Sequence, residues 1–409
     1  MRILLANKFY YPRGGDCIYT IELERLLKDN GHEVAVFSMQ HPSNLASEYS
    51  NFFPSHVDFN RRNLRSLVNL LIRPFGSFEV RKCFNQLLND FKPDIIHLNN
   101  IHSQLSPIIA RLGHRNNIPV VWTLHDYKLV CPAYLLMSES KPCEACYGKK
   151  WSVVSKKCIK HNLMASLVAY LEARYWHPGK LTKIADLFIS PSIFLKTKMI
   201  QGGFSENNIE VLNNFVNSEN KYVDYGIKEE YYCYVGRLSP EKGIDLLLNA
   251  ATELKDYKLK IIGSGPLENT LASCGESRNV EFLGYKTGKE LKTIISGSKF
   301  IVVPSNWFEN NPLIILESLC LGTPVLGSDI GGIPELIKPG FNGILFTAGN
   351  VDELRIRIKY LWENQGSFDR NKISVDALKN YSSDCYYQSL INLYGKLLKS
   401  KRQKMGDSL

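Results

Sequence analysis

Short, wholly apolar runs recur along this sequence, each ending in a polar or glycine-bearing loop that leads into a helical stretch, and this alternation leaves few folds open. In the first half the runs are residues 2–6 (RILLA), Val34 to Phe37, Asp94 to Leu98 and Pro119 to Leu124. Being apolar on both faces, they read as strands of a parallel sheet covered by helices. Asp186 to Ser190 and Ile209 to Leu212 follow. A second series then begins with Tyr231 to Val235, Leu259 to Ile262, Val280 to Leu283 and Phe300 to Val303. Strand alternating with helix predicts doubly wound α/β domains, and 409 residues are enough for two of them, each with its own core. The expected division is 1–212, with a cysteine-bearing insertion at about 131–158, then 213–378, then a helix and basic tail over 379–409. Residues 41–90 are less regular and read as loop and helices.

Hydrophobic content of 44% and charged content of 22% are those of a globular chain. The net charge of +10 is not gathered into one long basic run, so nucleic acid is not an expected partner. Basic residues do cluster at Lys149, Lys150, Lys156, Lys157 and Lys160 and in the tail Lys396 to Lys404. Such clusters suit water or anionic lipid head groups, where each charge gains roughly 1 kcal/mol. The opening MRILLANKFY has too short an apolar run for a signal peptide, and no stretch approaches the ~20 apolar residues that span a bilayer. A cytoplasmic protein is expected, with the inner face of the plasma membrane as a surface it could visit.

In that setting the ten cysteines should be reduced. Cys131, Cys143, Cys146 and Cys158 have the spacing C-x11-C-x2-C-x11-C, symmetric about a Cys-x-x-Cys knuckle. Four thiolates are enough for a closed tetrahedral zinc site, and unligated cysteines in a folded loop are the alternative. Asn162 to Trp176 then reads as an amphipathic helix with terminal aromatics. Core packing is the expectation there, with a membrane-surface element as the other reading.

The stretch from Pro304 to Pro334 carries the densest chemistry. It reads as a strand end, a loop with Glu309, and a short apolar helix opened by Asn311 and Pro312 and closed by Gly322 and Pro324. Glu317 falls within that helix. A helix start above a parallel sheet offers N–H groups and a positive dipole end to a diphosphate. Carboxylates beside it would repel phosphate, so sugar hydroxyls are the more sensible partners for Glu309 and Glu317. Gly236-Arg237 through Lys242-Gly243 set a guanidinium and an ammonium at a strand mouth, and Gly263 and Gly265 form another glycine turn. In the first half Gly14 and Gly15 precede a helix, and His125 directly follows a strand, where ligands bind in open α/β sheets.

Together with Glu309-x7-Glu317, Gly322-Thr323-Pro324-Val325, and Gly331-Gly332 with Glu335, these residues resemble the retaining glycosyltransferases of family 4, over nearly the whole chain. The resemblance implies the GT-B fold: two Rossmann-like domains facing a cleft, with the terminal helices crossing back onto the first. It implies a nucleotide-diphosphate sugar donor, carrying UDP or GDP, and a sugar-hydroxyl acceptor. Arg237 and Lys242 would neutralise the departing diphosphate without a divalent cation, and no Asp-x-Asp pair is present to hold one. Glu317 would hold the ribose, Glu309 the donor sugar's hydroxyls, and backbone amides near Leu313 and Ile314 the phosphate, with Asn311 also on the donor-binding side. Gly14 and Gly15 would admit phosphate from the first domain, while Gly236, Gly263 and Gly265 would line the donor side. His125 would contact the donor sugar and the forming oxocarbenium ion.

Retention without an evident carboxylate nucleophile points to front-side attack. The cysteine-bearing segment is similar to one in bacterial family members that build surface polysaccharides, implying a glycan or polyprenyl-diphosphate-linked acceptor. Two other readings stand beside this one: a nucleotide-sugar 2-epimerase of the same fold, and a catalytically silent sugar-nucleotide-binding protein.

Overall fold

The computed structural model describes residues 1–57, 71–139, 141–217, 230–268 and 279–406. Part of the 41–90 region and Ser140 of the cysteine-bearing segment lie outside them. The chain forms two compact units, one of Met1–Leu136, Cys143–Leu212 and Tyr387–Leu409, the other of Met137–Pro142 and Asn213–Tyr386.

The first unit is built on six parallel strands: β1 (Arg2–Ala6), β2 (Glu33–Phe37), β3 (Ile95–Leu98), β4 (Val120–Thr123), β5 (Leu187–Ser190) and β6 (Ile209–Val211). Their spatial order is β2-β1-β3-β4-β5-β6. β3, β4 and β5 are buried at every position, so their apolar runs need no alternation. Helices return the chain between strands and begin where their caps dictate. Ser77, Asn162 and Ser192 each accept a hydrogen bond from the N–H three residues on.

The second unit repeats the plan with β7 (Tyr232–Val235), β8 (Leu259–Ile262), β9 (Val280–Gly284), β10 (Ile301–Val303), β11 (Val325–Ser328) and β12 (Gly343–Phe346), in the order β9-β8-β7-β10-β11-β12. β12 was not anticipated from the sequence; its run Gly343–Phe346 is short and opens on glycine. Its partner β11 and the helix Val351–Glu363 cover it. The two sheets have their switch points between β1 and β3 and between β7 and β10, where connections diverge to opposite sides.

Residues from Tyr387 onward, in the helix Ser383–Gly406, belong to the first unit, whereas 379–386 group with the second. The tail is anchored by chemistry as well as packing. The Tyr394 hydroxyl bonds His97 Nδ1, and His97 Nε2 bonds Thr123 Oγ1 at 2.7 Å, all in the buried interior. Farther along, Lys401 pairs with Asp186 at 3.2 Å. Among the described residues no helix is long and apolar enough to cross a membrane.

Candidate active site

In the second unit the switch point gathers the residues expected to carry chemistry. β7 runs into Gly236 and Arg237, and β10 into Pro304 and the loop that ends at Glu309. Lys242 Nζ lies 2.7 Å from Glu309 Oε1, and Ser305 Oγ donates to the same oxygen at 2.8 Å. Burial alone would raise the Glu309 carboxyl; the Lys242 charge and these hydrogen bonds reverse that and hold it below the usual range. Glu309 is therefore an anion fixed in place. Arg237 is exposed and has no ion-pair partner among the described residues.

Backbone contact explains the glycines. Gly263 has φ +139°, and a Cβ there would strike the carbonyl of Gly236. The Gly236 N–H bonds Ile262 O at 3.0 Å, and the Leu238 N–H bonds Ser264 O at 3.0 Å, so the loops after β7 and β8 interlock main chain to main chain. Gly265 packs against Leu238 in the same way. Gly331, at φ +66°, lets the backbone close over Glu309, whose carbonyl accepts the Gly332 N–H at 2.7 Å.

The helix after this loop is Leu313–Cys320, with Pro312 at its N-cap and no side-chain cap. Leu313 and Ile314 thus present first-turn N–H groups that no capping side chain takes. Asn311 does not open the helix as expected. Its Oδ1 accepts the Asn214 N–H at 2.9 Å, its carbonyl accepts from Asn214 Nδ2, and its own Nδ2 is buried without a hydrogen-bond partner among the described residues. Glu317, in the helix, carries no ion-pair partner among the described residues, and withdrawal from water raises its carboxyl to about 7.

In the first unit Gly14 caps the helix Gly15–Asp29, its carbonyl accepting the N–H groups of Cys17 and Ile18. A side chain at Gly15 would meet nothing, so packing does not demand this glycine. His125 follows β4. Its Nε2 lies 3.0 Å from Asn99 Oδ1, and its ring meets Tyr19 edge-on at 4.8 Å. An amide oxygen only accepts, so Nε2 carries the proton. Burial lowers the imidazole pKa, against the pull of Asp16 and Asp126, so the ring is neutral.

Residues after β3 complete this group and were not singled out from the sequence. Asn100 Nδ2 donates to Asp16 Oδ2 at 3.0 Å and to Asp126 Oδ2 at 3.4 Å. His102 lies 3.6 Å from Asp126. The available signal was the polar pair Asn99-Asn100 at the end of an apolar strand, the same address that marked His125.

The four cysteines lie at separate depths: Cys131 and Cys146 are buried, Cys143 and Cys158 half-buried. The Cys131 and Cys146 thiols influence one another's ionisation, which lowers Cys131 and raises Cys146, while Cys143 Sγ accepts from Lys156 Nζ at 3.4 Å. Among the described residues no three His, Cys, Asp or Glu side chains are arranged to hold a metal ion, so the closed tetrathiolate geometry expected for zinc is not formed in this arrangement.

Comparison with known proteins adds the family. Residues 13–220 match the model of Glycosyltransferase Family 4, and residues 218–379 match that of Glycosyl transferases group 1. An uncharacterized glycosyltransferase of Methanocaldococcus jannaschii is 26% identical, over 96% of this chain and 98% of its own. An uncharacterized 42.6 kDa protein in the cps region of Klebsiella pneumoniae is 28% identical, over 83% of this chain and 88% of its own. The crystal structure of Anabaena HepE in complex with UDP and glucose superposes with a TM-score of 0.70 at 17% identity, over 97% of this chain and all of that one, and so shares the fold. With two Rossmann-like units and a family model spanning half its length, this chain belongs to glycosyltransferase family 4 and has the GT-B fold.

Proposed function

We propose that this glycosyltransferase moves a sugar, with retention of anomeric configuration, from a UDP- or GDP-sugar to a hydroxyl of a glycan acceptor, without a catalytic metal. The observation that carries this reading is the buried Glu309 anion held by Lys242 at the switch point, with Arg237, exposed and without an ion-pair partner among the described residues, at the end of the neighbouring strand β7. An ammonium and a guanidinium supply the positive charge that a leaving diphosphate requires, the task a divalent cation performs elsewhere. Glu309 is ionised and restrained, which suits it to accept hydrogen bonds from sugar hydroxyls.

The first-turn N–H groups of Leu313 and Ile314 suit phosphate oxygens, and Glu317 suits a ribose hydroxyl. The neutral His125 suits a polar contact with the donor sugar near its reacting carbon. The glycosidic C–O bond to the diphosphate breaks, the acceptor oxygen bonds the same face of the anomeric carbon, and the departing phosphate oxygen takes the acceptor's proton. Support for the donor class comes from the HepE structure, which contains UDP and glucose. The acceptor in this reading belongs to bacterial surface-polysaccharide or lipopolysaccharide synthesis and is of the polyprenyl-diphosphate-linked kind; one relative is an uncharacterized protein in a cps region. The zinc reading of the cysteines remains a structural proposal only, open to metal analysis of the purified protein.

The deciding assay incubates the protein with UDP- and GDP-sugars, with and without a polyprenyl-diphosphate sugar, in EDTA throughout. Acceptor-dependent release of one nucleoside diphosphate and a retained anomer are expected. Turnover of donor without acceptor would point to an epimerase, binding without turnover to a silent module, and an inverted product would overturn the reading.

A further inference from the structure

The helix Leu163–Tyr175 is inside out. Its buried positions are Ser166, Ala169 and Glu172, three apart on one stripe. The face turned to solvent carries Leu163 (52% exposed), Met164 (64%), Leu171 (47%) and Tyr175 (37%). The buried stripe is polar by design: Glu172 pairs with Lys128 at 3.0 Å and accepts from Ser103 Oγ, and Ser166 Oγ accepts the Ile159 N–H at 3.1 Å. Core packing, expected from the sequence, is therefore not what Leu163, Met164, Leu171 and Tyr175 do, while Leu167, Val168 and Tyr170 are half-buried.

The apolar face extends beyond the helix. Trp151, also exposed, is set by an edge-on contact of its ring with Tyr170 at 5.2 Å. At the other end Phe75 meets Tyr175 edge-on at 5.5 Å, and exposed Leu71, Ile72 and Phe78 flank it along the chain. Along residues 148–180 the exposed charge has one sign; Glu79, beside Phe78, is paired with Arg73 at 2.7 Å. Between residues 148 and 180 the sequence has seven Lys and Arg and one acid, Glu172, which is the buried one. Lys149, Lys156, Lys157, Lys160 and Arg174 are exposed, and Lys180 lies over the Tyr175 ring at 3.3 Å.

We propose that this face docks the protein on a lipid bilayer and selects anionic head groups. Large aliphatic residues would enter the acyl boundary, Trp151 and Tyr175 would sit at the head-group level, and the lysines would reach phosphate around them. A protein partner fits less well, because lysine is depleted from such interfaces and a mixed-sign rim is usual. This deepens the lipid-linked reading of the acceptor, but its observations are independent of it.

Flotation of the full chain with vesicles of phosphatidylcholine, or of phosphatidylcholine with phosphatidylglycerol, tests the proposal; neither contains a glycan acceptor. Binding to the anionic vesicles alone, weakened by salt, is expected. Lys156→Gln/Lys157→Gln/Lys160→Gln should weaken it about a hundredfold. Met164→Asp/Leu171→Asp should abolish it, with an unchanged melting temperature showing that both variants fold. Failure of the wild type to float, or equal flotation of either variant, would overturn the proposal. So would a dimer in light scattering that Met164→Asp/Leu171→Asp converts to monomer, since the face would then belong to a second copy. Sugar transfer to a water-soluble acceptor without vesicle binding would sink this surface and leave the transferase reading intact; vesicle binding without transfer would do the reverse.

Discussion

Lys242 and Glu309 are 67 residues apart in the chain and 2.7 Å apart in space, and the pair lies where the carboxyl ends of β7 and β10 diverge. Glu309 is 6% exposed, so its charge is tolerable only because that ammonium and Ser305 meet it.

Replacing Glu309 by Gln keeps the shape and removes the charge. Transfer should fall by roughly 10²–10³ in kcat, the scale of losing one preorganised polar contact, with little change in melting temperature. Steady-state kinetics with circular dichroism melts check this; an unchanged kcat would remove Glu309 from the reaction.

Lys242→Ala leaves Glu309 buried without its counter-charge and should destabilise by about 2–4 kcal/mol at neutral pH. Because the native pair depresses the Glu309 pKa, its stabilisation is present above the ordinary carboxylate range and is lost as pH falls through the depressed value. The variant's deficit should therefore shrink on acidification, and Lys242→Ala/Glu309→Gln should recover most of it. Denaturant melts between pH 4 and pH 8 give the full cycle.

Glu317 has the opposite sign. Its raised value, about 7, means that the folded chain keeps a proton which the unfolded chain releases, so stability declines as pH rises from the ordinary carboxylate range to about 7. Glu317→Gln should be more stable than wild type by up to about 3 kcal/mol at pH 8 and equal to it near pH 4. If the carboxylate holds ribose, the same variant should bind nucleotide about tenfold more weakly, which calorimetry would read.

Tyr394→Phe removes the hydroxyl from buried His97 Nδ1. A loss of about 1–3 kcal/mol in unfolding free energy is expected, with KM for donor unchanged, because an unsatisfied buried nitrogen remains while the site is untouched.

Gly263→Ala should be more severe. It combines a left-handed backbone with a methyl group driven into the Gly236 carbonyl, and soluble expression with a normal melting temperature would contradict the interlocked-loop geometry.

The parallel-sheet architecture was legible because strands buried on both faces write continuous apolar runs, and because caps such as Ser192 and turns such as Gly31 mark helix ends locally. The addresses of Glu309, Lys242 and His125 were legible for the same reason, since strand ends can be read from the chain. Their partners could not be. Which residue pairs with Glu309, that Asn311 turns to Asn214 instead of capping its helix, and that Asn100 bridges Asp16 and Asp126 all depend on which strands lie side by side.

The sequence by itself determined the two α/β units and the positions of the loops at their strand ends, through periodicities that act over a few residues. Tertiary structure alone decided the ionisation of Glu309 and Glu317, the anchoring of Tyr394 on His97, and which side of the helix Leu163–Tyr175 faces water. That helix is apolar nearly all round, so only the neighbours of Glu172 select its buried face. Burial and charge pairing are properties of contacts between distant segments, and a linear pattern does not encode the distances that set them.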